Sequence, residues 1–326
     1  AAATASATEF FMSHRASAEH WSSITETTAV TGIRLLYFFY RIGGRPLFWL
    51  SVWPVLVVYW AILPDMRRVS LGYLRHAYAA GLLKTKPTVF TTLRHFFHFA
   101  DTLLDKLLAA GNQFKDKDLH VVGREALFAD HRGAVLVTSH MGCLELCQVI
   151  AEKKMVRQLH ILTHTKMSRR FMRILTKLNP SLELSHIEVS SLTPATLVLL
   201  SEKIAAGDFL VIVGDRTPIG SDSVSYAEFL GEEAPFPNGF ILLATLLQCP
   251  LWSMICRRET EGDARYRVTF SPLWEPRPVA RKVRAAHFAF ITQAFADKLT
   301  EELSASPWDW FNFFDFWHQG TGRMEH

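Results

Sequence analysis

A histidine and a glutamate lie five residues apart where an apolar run ends, within residues 139–145 (SHMGCLE). On a continuous α-helix their side chains would point ~140° apart, because each residue turns the helix by ~100°. They can pair only if His140 precedes the first turn, and Gly142 makes that bend easy because it has no Cβ. Glu145 would then accept one ring N–H, which leaves the other nitrogen free to take a proton from a hydroxyl or amine. The alternative is a histidine at a helix start with a surface glutamate.

Two further groups of polar residues could contact a substrate. Arg216, in the sequence GDRTPI after the apolar run at 209–213, is a candidate clamp for a phosphate or carboxylate, with Asp215 orienting it. An ordinary Asp-Arg turn is the alternative. Lys166 opens a predicted helix together with Arg169 and Arg170, and this helix could meet an acidic carrier protein or a lipid headgroup. A solvated helix face is the alternative there.

The remaining histidines and cysteines indicate packing. His160 and His164 would share a face of a strand, but no third ligand follows at a suitable spacing, and we expect no metal and no cofactor. His95 and His98 lie among phenylalanines and are predicted to pack. Cys143 is predicted to be a small packing group rather than a nucleophile. The chain also lacks the G-x-S-x-G elbow of serine hydrolases.

The pattern after residue 133 predicts an α/β fold. Short apolar runs alternate with helical stretches, which indicates a mixed, largely parallel sheet flanked by helices. The runs are AVLVT (134–138), LHILT (159–163), LSHIEVS (184–190) and DFLVIVG (208–214), followed by the predicted strands VSYAEFLG, CPLWSMICR and ARYRVTFSPL and a long closing helix at 283–303.

The apolar segment at 31–63 is the candidate membrane contact. Its two stretches are separated by the sequence Gly-Gly-Arg-Pro at 43–46, and the second contains Pro54 and several tryptophans. We expect a hairpin lying in one leaflet, with a buried helical pair as the alternative. Two amphipathic helices are predicted to follow, and residues 118–130 are predicted to form a short strand and a short helix.

Composition excludes some classes of protein. The 326 residues are 49% hydrophobic and 20% charged, which is too apolar for a disordered chain. A net charge of +4 with scattered basic residues does not indicate nucleic acid, but it suits an anionic bilayer or an acidic carrier protein. We expect an added leader at 1–11, a helical membrane-associating segment at 12–109 and a catalytic domain at 110–326.

Five blocks in order resemble the lysophospholipid acyltransferase superfamily, and more closely its bacterial branch of late lipid A acyltransferases and related predicted acyltransferases. The resemblance covers about residues 20–317. The blocks are RRVSLGYLR (67–75), HMGCLE (140–145), GDRTPI (214–219), FLGEEAPFPNGF (229–240) and PWDWFNFFDFW (307–317). In the block at 229–240, the superfamily usually has the sequence Phe-Pro-Glu-Gly. This chain has Asn238 before Gly239 instead, and so lacks that carboxylate.

The resemblance implies transfer of a fatty acyl group from acyl carrier protein or acyl-CoA to a hydroxyl or amine of a lipid or glycolipid. His140 and Glu145 match the catalytic His-x4-Glu dyad. It also implies a location at the cytoplasmic face of the bacterial inner membrane. Two alternatives remain open: a catalytically idle lipid-binding membrane adaptor and an acyl-thioester hydrolase. The candidate substrate-binding residues are Lys166, Asp215, Arg216, Asn238 and Gly239.

Overall fold

The structure, a computed structural model, describes residues 37–143, 145–146, 157–163, 186–188, 193–216, 223–261 and 264–318. Its helices are α1 (Tyr37–Ile62), α2 (Pro64–Ala79), α3 (Val89–Ala110), α4 (Arg124–Ala129), α5 (Pro194–Ala205), α6 (Gly239–Leu247) and α7 (Arg284–Ala305). Its strands are β1 (Leu119–Val122), β2 (Ala134–Thr138), β3 (Leu159–Thr163), β4 (His186–Glu188), β5 (Phe209–Val213), β6 (Val224–Phe229), β7 (Glu232–Pro237), β8 (Leu251–Arg258) and β9 (Tyr266–Trp274).

A seven-stranded sheet in the order β1-β9-β8-β2-β5-β3-β4 organises the chain. Its neighbours run parallel except for β8 and β9, which are antiparallel. The predicted α/β fold with a mixed, largely parallel sheet is therefore confirmed. The predicted strand VSYAEFLG also forms, but among the described residues it pairs, as β6, with β7 in a separate two-stranded hairpin.

The central strand β2 shows why this sequence forms a covered sheet. All five of its residues are buried, as expected where helices cover both faces of a parallel sheet. Its alternate side chains enter different cores, because successive strand residues point to opposite faces. Val135 and Val137 pack with α6 and α7, whereas Ala134 and Leu136 pack with α1 and α3.

The N-terminal apolar segment differs from the predicted hairpin, because it forms the single helix α1. Gly44 takes a φ of +65°, which glycine adopts without steric cost, and the Gly-Gly-Arg-Pro sequence does not reverse the chain. Phe48 and Val52 on one face of α1 are buried against α3. The other residues of the helix are half-buried or exposed. By length and composition, α1 is long and apolar enough to cross a membrane. Its exposed side chains include Phe38, Ile42, Leu50, Trp53, Val55, Val58 and Ile62.

Several local predictions are confirmed. The two amphipathic helices form as α2 and α3, residues 118–130 contain β1 and α4, and the closing helix forms as α7. The helix that we expect to begin after His140 lies partly outside the described residues, and residues 145–146 are helical. Lys166, Arg169 and Arg170 lie outside the described residues, as does His164.

Candidate active site

Strand register brings His140 and Asp215 together. Strands β2 and β5 are parallel neighbours, and their last residues, Thr138 and Val213, face each other. Both chains continue past the same edge, where Gly214 N–H donates to the carbonyl of Thr138 at 2.8 Å. The residue two positions beyond each strand is therefore held next to its counterpart, at the carboxyl edge where α/β proteins build their sites.

His140 and Asp215 form two hydrogen bonds. Nδ1 of the imidazole lies 2.7 Å from Oδ1 of the carboxylate, and the backbone N–H of His140 donates to Oδ2 at 2.8 Å. An ionised carboxylate only accepts hydrogen bonds, so in the neutral imidazole Nδ1 carries the proton and Nε2 carries the lone pair. The His140 side chain is 30% exposed, whereas that of Asp215 is fully buried. An imidazole held in this way can act as a general base toward a substrate.

Asp215 stays ionised despite its burial. Burial alone would raise the pKa of this carboxyl, but the charge of His140, its two hydrogen bonds and the nearby charge of Arg216 outweigh that effect. The net result is a pKa below the usual range for aspartate. The carboxylate is therefore charged at neutral pH and can stabilise the imidazolium that forms when His140 takes a proton.

A C-terminal segment, residues 309–312, closes over this pair. Trp310 Nε1 donates to Oδ2 of Asp215 at 2.8 Å, and Asn312 Nδ2 donates to the Asp215 carbonyl at 3.0 Å. The backbone N–H of Phe311 donates to the carbonyl of His140 at 2.9 Å. The aromatic cluster at 307–317 thus includes residues packed in the core, among them Trp310, which is 1% exposed.

Glu145 is placed differently from the sequence prediction. Both of its carboxylate oxygens accept from Nζ of Lys106, at 3.0 and 2.8 Å, and the side chain is 15% exposed. Burial would lower the pKa of Lys106, but the charge of Glu145 reverses that and leaves the pKa raised. The ring N–H of His140 expected to bond Glu145 is instead held by Asp215.

Cys143 lies between His140 and Glu145 in the sequence, and it is fully buried. Burial raises the pKa of its thiol well above the ordinary value, so the thiolate needed for nucleophilic attack is disfavoured. The thiol contacts Oε2 of Glu145 at 3.7 Å. These features fit the predicted packing role.

Gly142 shapes the turn between His140 and Glu145. Its φ is +58°, and an added Cβ would lie 2.4 Å from the carbonyl oxygen of Cys256 on β8. Its own N–H donates to the carbonyl of Asp309 at 2.9 Å. Glycine is therefore required both by the left-handed conformation and by the close approach of a neighbouring strand.

The other predicted substrate residues lie near the same sheet edge where the structure describes them. Arg216 is exposed, donates from Nε to Asn312 Oδ1 at 3.2 Å and lies over the ring of Phe314. Asn238 accepts from Ser225 Oγ at 2.6 Å and precedes α6, whose first residue is Gly239. An added Cβ at Gly239 would lie 3.8 Å from Ile212 on β5.

The other histidines have local partners. His160 Nε2 lies 2.8 Å from Asp208, and His95 is enclosed between Ser70 and the carbonyl of Trp310, each 2.9 Å from one ring nitrogen. Within the described ranges, no group of three or more His, Cys, Asp or Glu side chains could hold a metal ion.

A cavity of about 320 Å³ lies between α1 and α3. Its wall is mainly apolar, with an Arg94–Glu261 ion pair and His98 at its polar side. His140 is not among the lining residues, which are Trp49, Phe90, Leu93, Arg94, Phe97, His98, Asp101 and Glu261.

Three contributors were missed or misassigned by sequence reasoning. The sequence pattern pairs Asp215 with Arg216 rather than with His140, and it does not indicate Trp310 or Lys106 as partners of the site. A usable signal was present for Asp215, because it follows the apolar run at 209–213 by two residues, just as His140 follows the run at 134–138. Trp310 and Lys106 come from distant segments, and no spacing indicates them.

Comparison with known proteins assigns the sequence of this chain to a family. A search of curated protein sequences found no match. A family model described as bacterial lipid A biosynthesis acyltransferase matches residues 105–319, which is more than half of the chain and includes β2, β5 and the C-terminal segment. The chain therefore belongs to the bacterial lipid A biosynthesis acyltransferase family and is an acyltransferase with lipid-like substrates.

Proposed function

We propose that this protein moves a fatty acyl group from a thioester of acyl carrier protein or coenzyme A onto a hydroxyl or amine of a lipid or glycolipid. The observation that carries the proposal is the imidazole of His140, which is partly exposed while its Nδ1 is bonded to a buried, ionised carboxylate. Such a ring is a general base of fixed tautomer, and acyl transfer to an alcohol or amine needs one.

The reaction needs no covalent enzyme intermediate. Nε2 of His140 takes the proton of the acceptor hydroxyl or amine as that atom attacks the thioester carbonyl carbon. The new C–O or C–N bond forms, the tetrahedral intermediate collapses, and the C–S bond breaks. The leaving thiolate takes the proton back from the imidazolium, which restores the neutral base.

Two carboxylates then have separate roles. Asp215 holds Nδ1–H and stabilises the imidazolium, since it is charged and buried beside the ring. Glu145, the glutamate of the His-x4-Glu sequence, keeps the turn at 140–145 in place through its ion pair with Lys106. This division replaces the simple His140–Glu145 pair with a dyad in which Asp215 is the direct partner.

Substrate binding is proposed for polar residues near the carboxyl ends of β2 and β5, and for Lys166. Arg216 is an exposed residue whose guanidinium charge lies close to the buried Asp215, which suits a phosphate of the donor or of the lipid headgroup. Asn238 and Gly239 are proposed to contact the acceptor at the start of α6. Lys166 is proposed to meet the acidic carrier.

Membrane contact is proposed for the exposed face of α1. Its apolar side chains include Leu50, Trp53 and Ile62, and Arg67 and Arg68 follow directly in α2. An apolar helix bordered by cations suits an anionic bilayer surface. We propose that the protein works at the cytoplasmic face of the bacterial inner membrane, where an acyl thioester and a lipid acceptor meet.

Incubation of the full chain in micelles with labelled acyl carrier protein tests this function. The account predicts a labelled lipid only when acceptor lipid is present, and loss of that product in His140→Ala but not in His131→Ala, which alters an exposed histidine. Release of free fatty acid at the same rate without acceptor would assign hydrolysis instead. Binding of lipid without turnover would assign the membrane adaptor.

A further inference from the structure

We propose that Trp310 is a positioning residue for the base: its indole N–H fixes the carboxylate of Asp215 so that this carboxylate holds His140 in the reactive tautomer. This inference rests on the proposed function for its kinetic consequence. Its structural part, a hydrogen bond between two named side chains, stands independently of the reaction.

The hydrogen bonds at the Asp215 carboxylate show what Trp310 adds. Oδ1 accepts from Nδ1 of His140 at 2.7 Å, and Oδ2 accepts from the His140 backbone N–H and from Trp310 Nε1, each at 2.8 Å. Among the described residues, Trp310 thus supplies the only side-chain donor to this carboxylate other than the base itself. It binds the oxygen that does not contact the ring, and so limits rotation of the carboxylate.

The indole has little freedom to leave this position. Its ring makes edge contacts with Tyr73, Phe229 and Phe316 at centroid distances of 4.9, 5.3 and 5.0 Å. The Trp310 backbone forms an antiparallel bridge with Met141, and its carbonyl lies 2.9 Å from Nε2 of His95. Contacts of both the side chain and the backbone of Trp310 therefore hold the indole N–H in place before a substrate binds.

Residues beside Trp310 connect the same segment to both members of the dyad. Phe311 N–H donates to the carbonyl of His140, and Asn312 Nδ2 donates to the carbonyl of Asp215. A buried indole N–H usually has an acceptor. The acceptor here is the carboxylate that orients the base, which gives the segment a role in catalysis beyond packing.

Trp310→Phe removes the donor and keeps most of the aromatic packing. Trp308→Phe is the matched control, because Trp308 lies two residues away, is also buried, and stacks on the guanidinium of Arg94 rather than on the dyad. We expect kcat for acyl transfer to fall about tenfold or more in Trp310→Phe, since hydrogen bonds to charged groups are strong. The KM for donor and acceptor should stay unchanged, because Trp310 is only 1% exposed and its indole N–H bonds Asp215. Trp308→Phe keeps both constants.

A double-mutant cycle separates positioning from packing. If Trp310 acts through Asp215, Trp310→Phe causes little further loss of kcat in an Asp215→Asn background, because the acceptor carboxylate is already gone. If Trp310 only packs, the same fold-loss appears in both backgrounds.

The contact is also measured without turnover, in the full chain labelled with 15N-tryptophan in micelles. The account predicts that the indole N–H signal of Trp310, identified by its loss in Trp310→Phe, shifts in Asp215→Asn. The Trp308 signal does not shift in that variant. This measurement decides the question if Asp215→Asn leaves no measurable transfer or if Trp310→Phe does not fold.

An unshifted Trp310 signal in Asp215→Asn would overturn the inference, and so would wild-type kcat in Trp310→Phe. Failure of the proposed function is a distinct result: no labelled lipid would form with wild-type protein, while the indole signal would still report its contact with Asp215.

Discussion

Asp215 Oδ1 lies 2.7 Å from Nδ1 of His140, although 75 positions separate them in the chain. The pairing follows from the register of β2 and β5, whose last residues face each other. A carboxylate beyond the end of one strand therefore holds an imidazole beyond the end of its neighbour. The glutamate nearer in sequence is held by a lysine from α3.

Gly142→Ala should damage both stability and transfer. The alanine Cβ would lie 2.4 Å from the carbonyl oxygen of Cys256, and a φ of +58° is unfavourable for alanine, so we expect a loss of about 2 kcal/mol in unfolding free energy. The shifted turn should also lower the transfer rate, since it carries His140. Urea unfolding and the acyl-transfer assay check the two effects.

Gly72→Ala is the control for this substitution. Gly72 lies within α2, and no heavy atom lies within 4 Å of an added Cβ. Alanine should leave stability equal or raise it by about 0.5–1 kcal/mol, because it favours the helix. Equal losses in the two variants would contradict the close packing of Gly142 against β8.

The sheet was predictable from sequence because apolar runs and helical stretches alternate regularly. Such local patterns predict the strands β2 and β5 and the position of His140 after β2. Strand order is a different kind of information: it decides that β5, and not β3, lies beside β2. Since that order depends on packing across the whole domain, spacing alone favoured the nearby Glu145 over the distant Asp215.

The predicted N-terminal hairpin was wrong for a similar reason, because residues Tyr37–Ile62 form one helix. A Gly-Gly-Arg-Pro sequence usually interrupts a helix, and the local pattern contained no evidence against a turn. In the structure, Phe48 and Val52 pack on α3, and Arg45 makes ion pairs with Asp101 and Asp105. These tertiary contacts stabilise a continuous helix across the Gly-Gly-Arg-Pro sequence at 43–46.

Lys106→Met should destabilise the protein by about 3 kcal/mol, because it leaves the largely buried Glu145 carboxylate without its cation. The double variant Lys106→Met/Glu145→Leu should recover most of this loss, since no unpaired charge remains. Chemical unfolding in micelles measures both.

Lys298→Met removes the cation of an exposed pair with Glu301, whose side chains are 40% and 66% exposed. Exposed pairs contribute little, so its effect should stay within about 0.5 kcal/mol. A Lys106→Met variant no less stable than Lys298→Met would show that the pair with Glu145 contributes nothing.

His95 should make stability fall in mild acid. Burial lowers its pKa from 6.5 to about 4, although the hydrogen bond to the Trp310 carbonyl opposes this. Between these values the unfolded chain binds a proton that the folded protein does not, so folding stability decreases as pH falls from 6.5 toward 4. At ~1.4 kcal/mol per pKa unit, the loss is about 3 kcal/mol.

His95→Gln removes that titration, so the difference in unfolding free energy between pH 7.5 and 4.5 should shrink relative to wild type. His131→Gln, at an exposed position, should keep the wild-type dependence. An unchanged dependence in His95→Gln would mean that His95 is not held neutral.

The acyl-transfer rate of Asp215→Asn compared with that of Glu145→Gln tests the central claim most directly. Asparagine offers Nδ1 a weaker partner and can stabilise the wrong ring tautomer, so kcat should fall by about 10²-fold or more, whereas Glu145→Gln should stay within about tenfold of wild type. A near-normal rate in Asp215→Asn together with an inactive Glu145→Gln would contradict the account and restore Glu145 as the partner of His140.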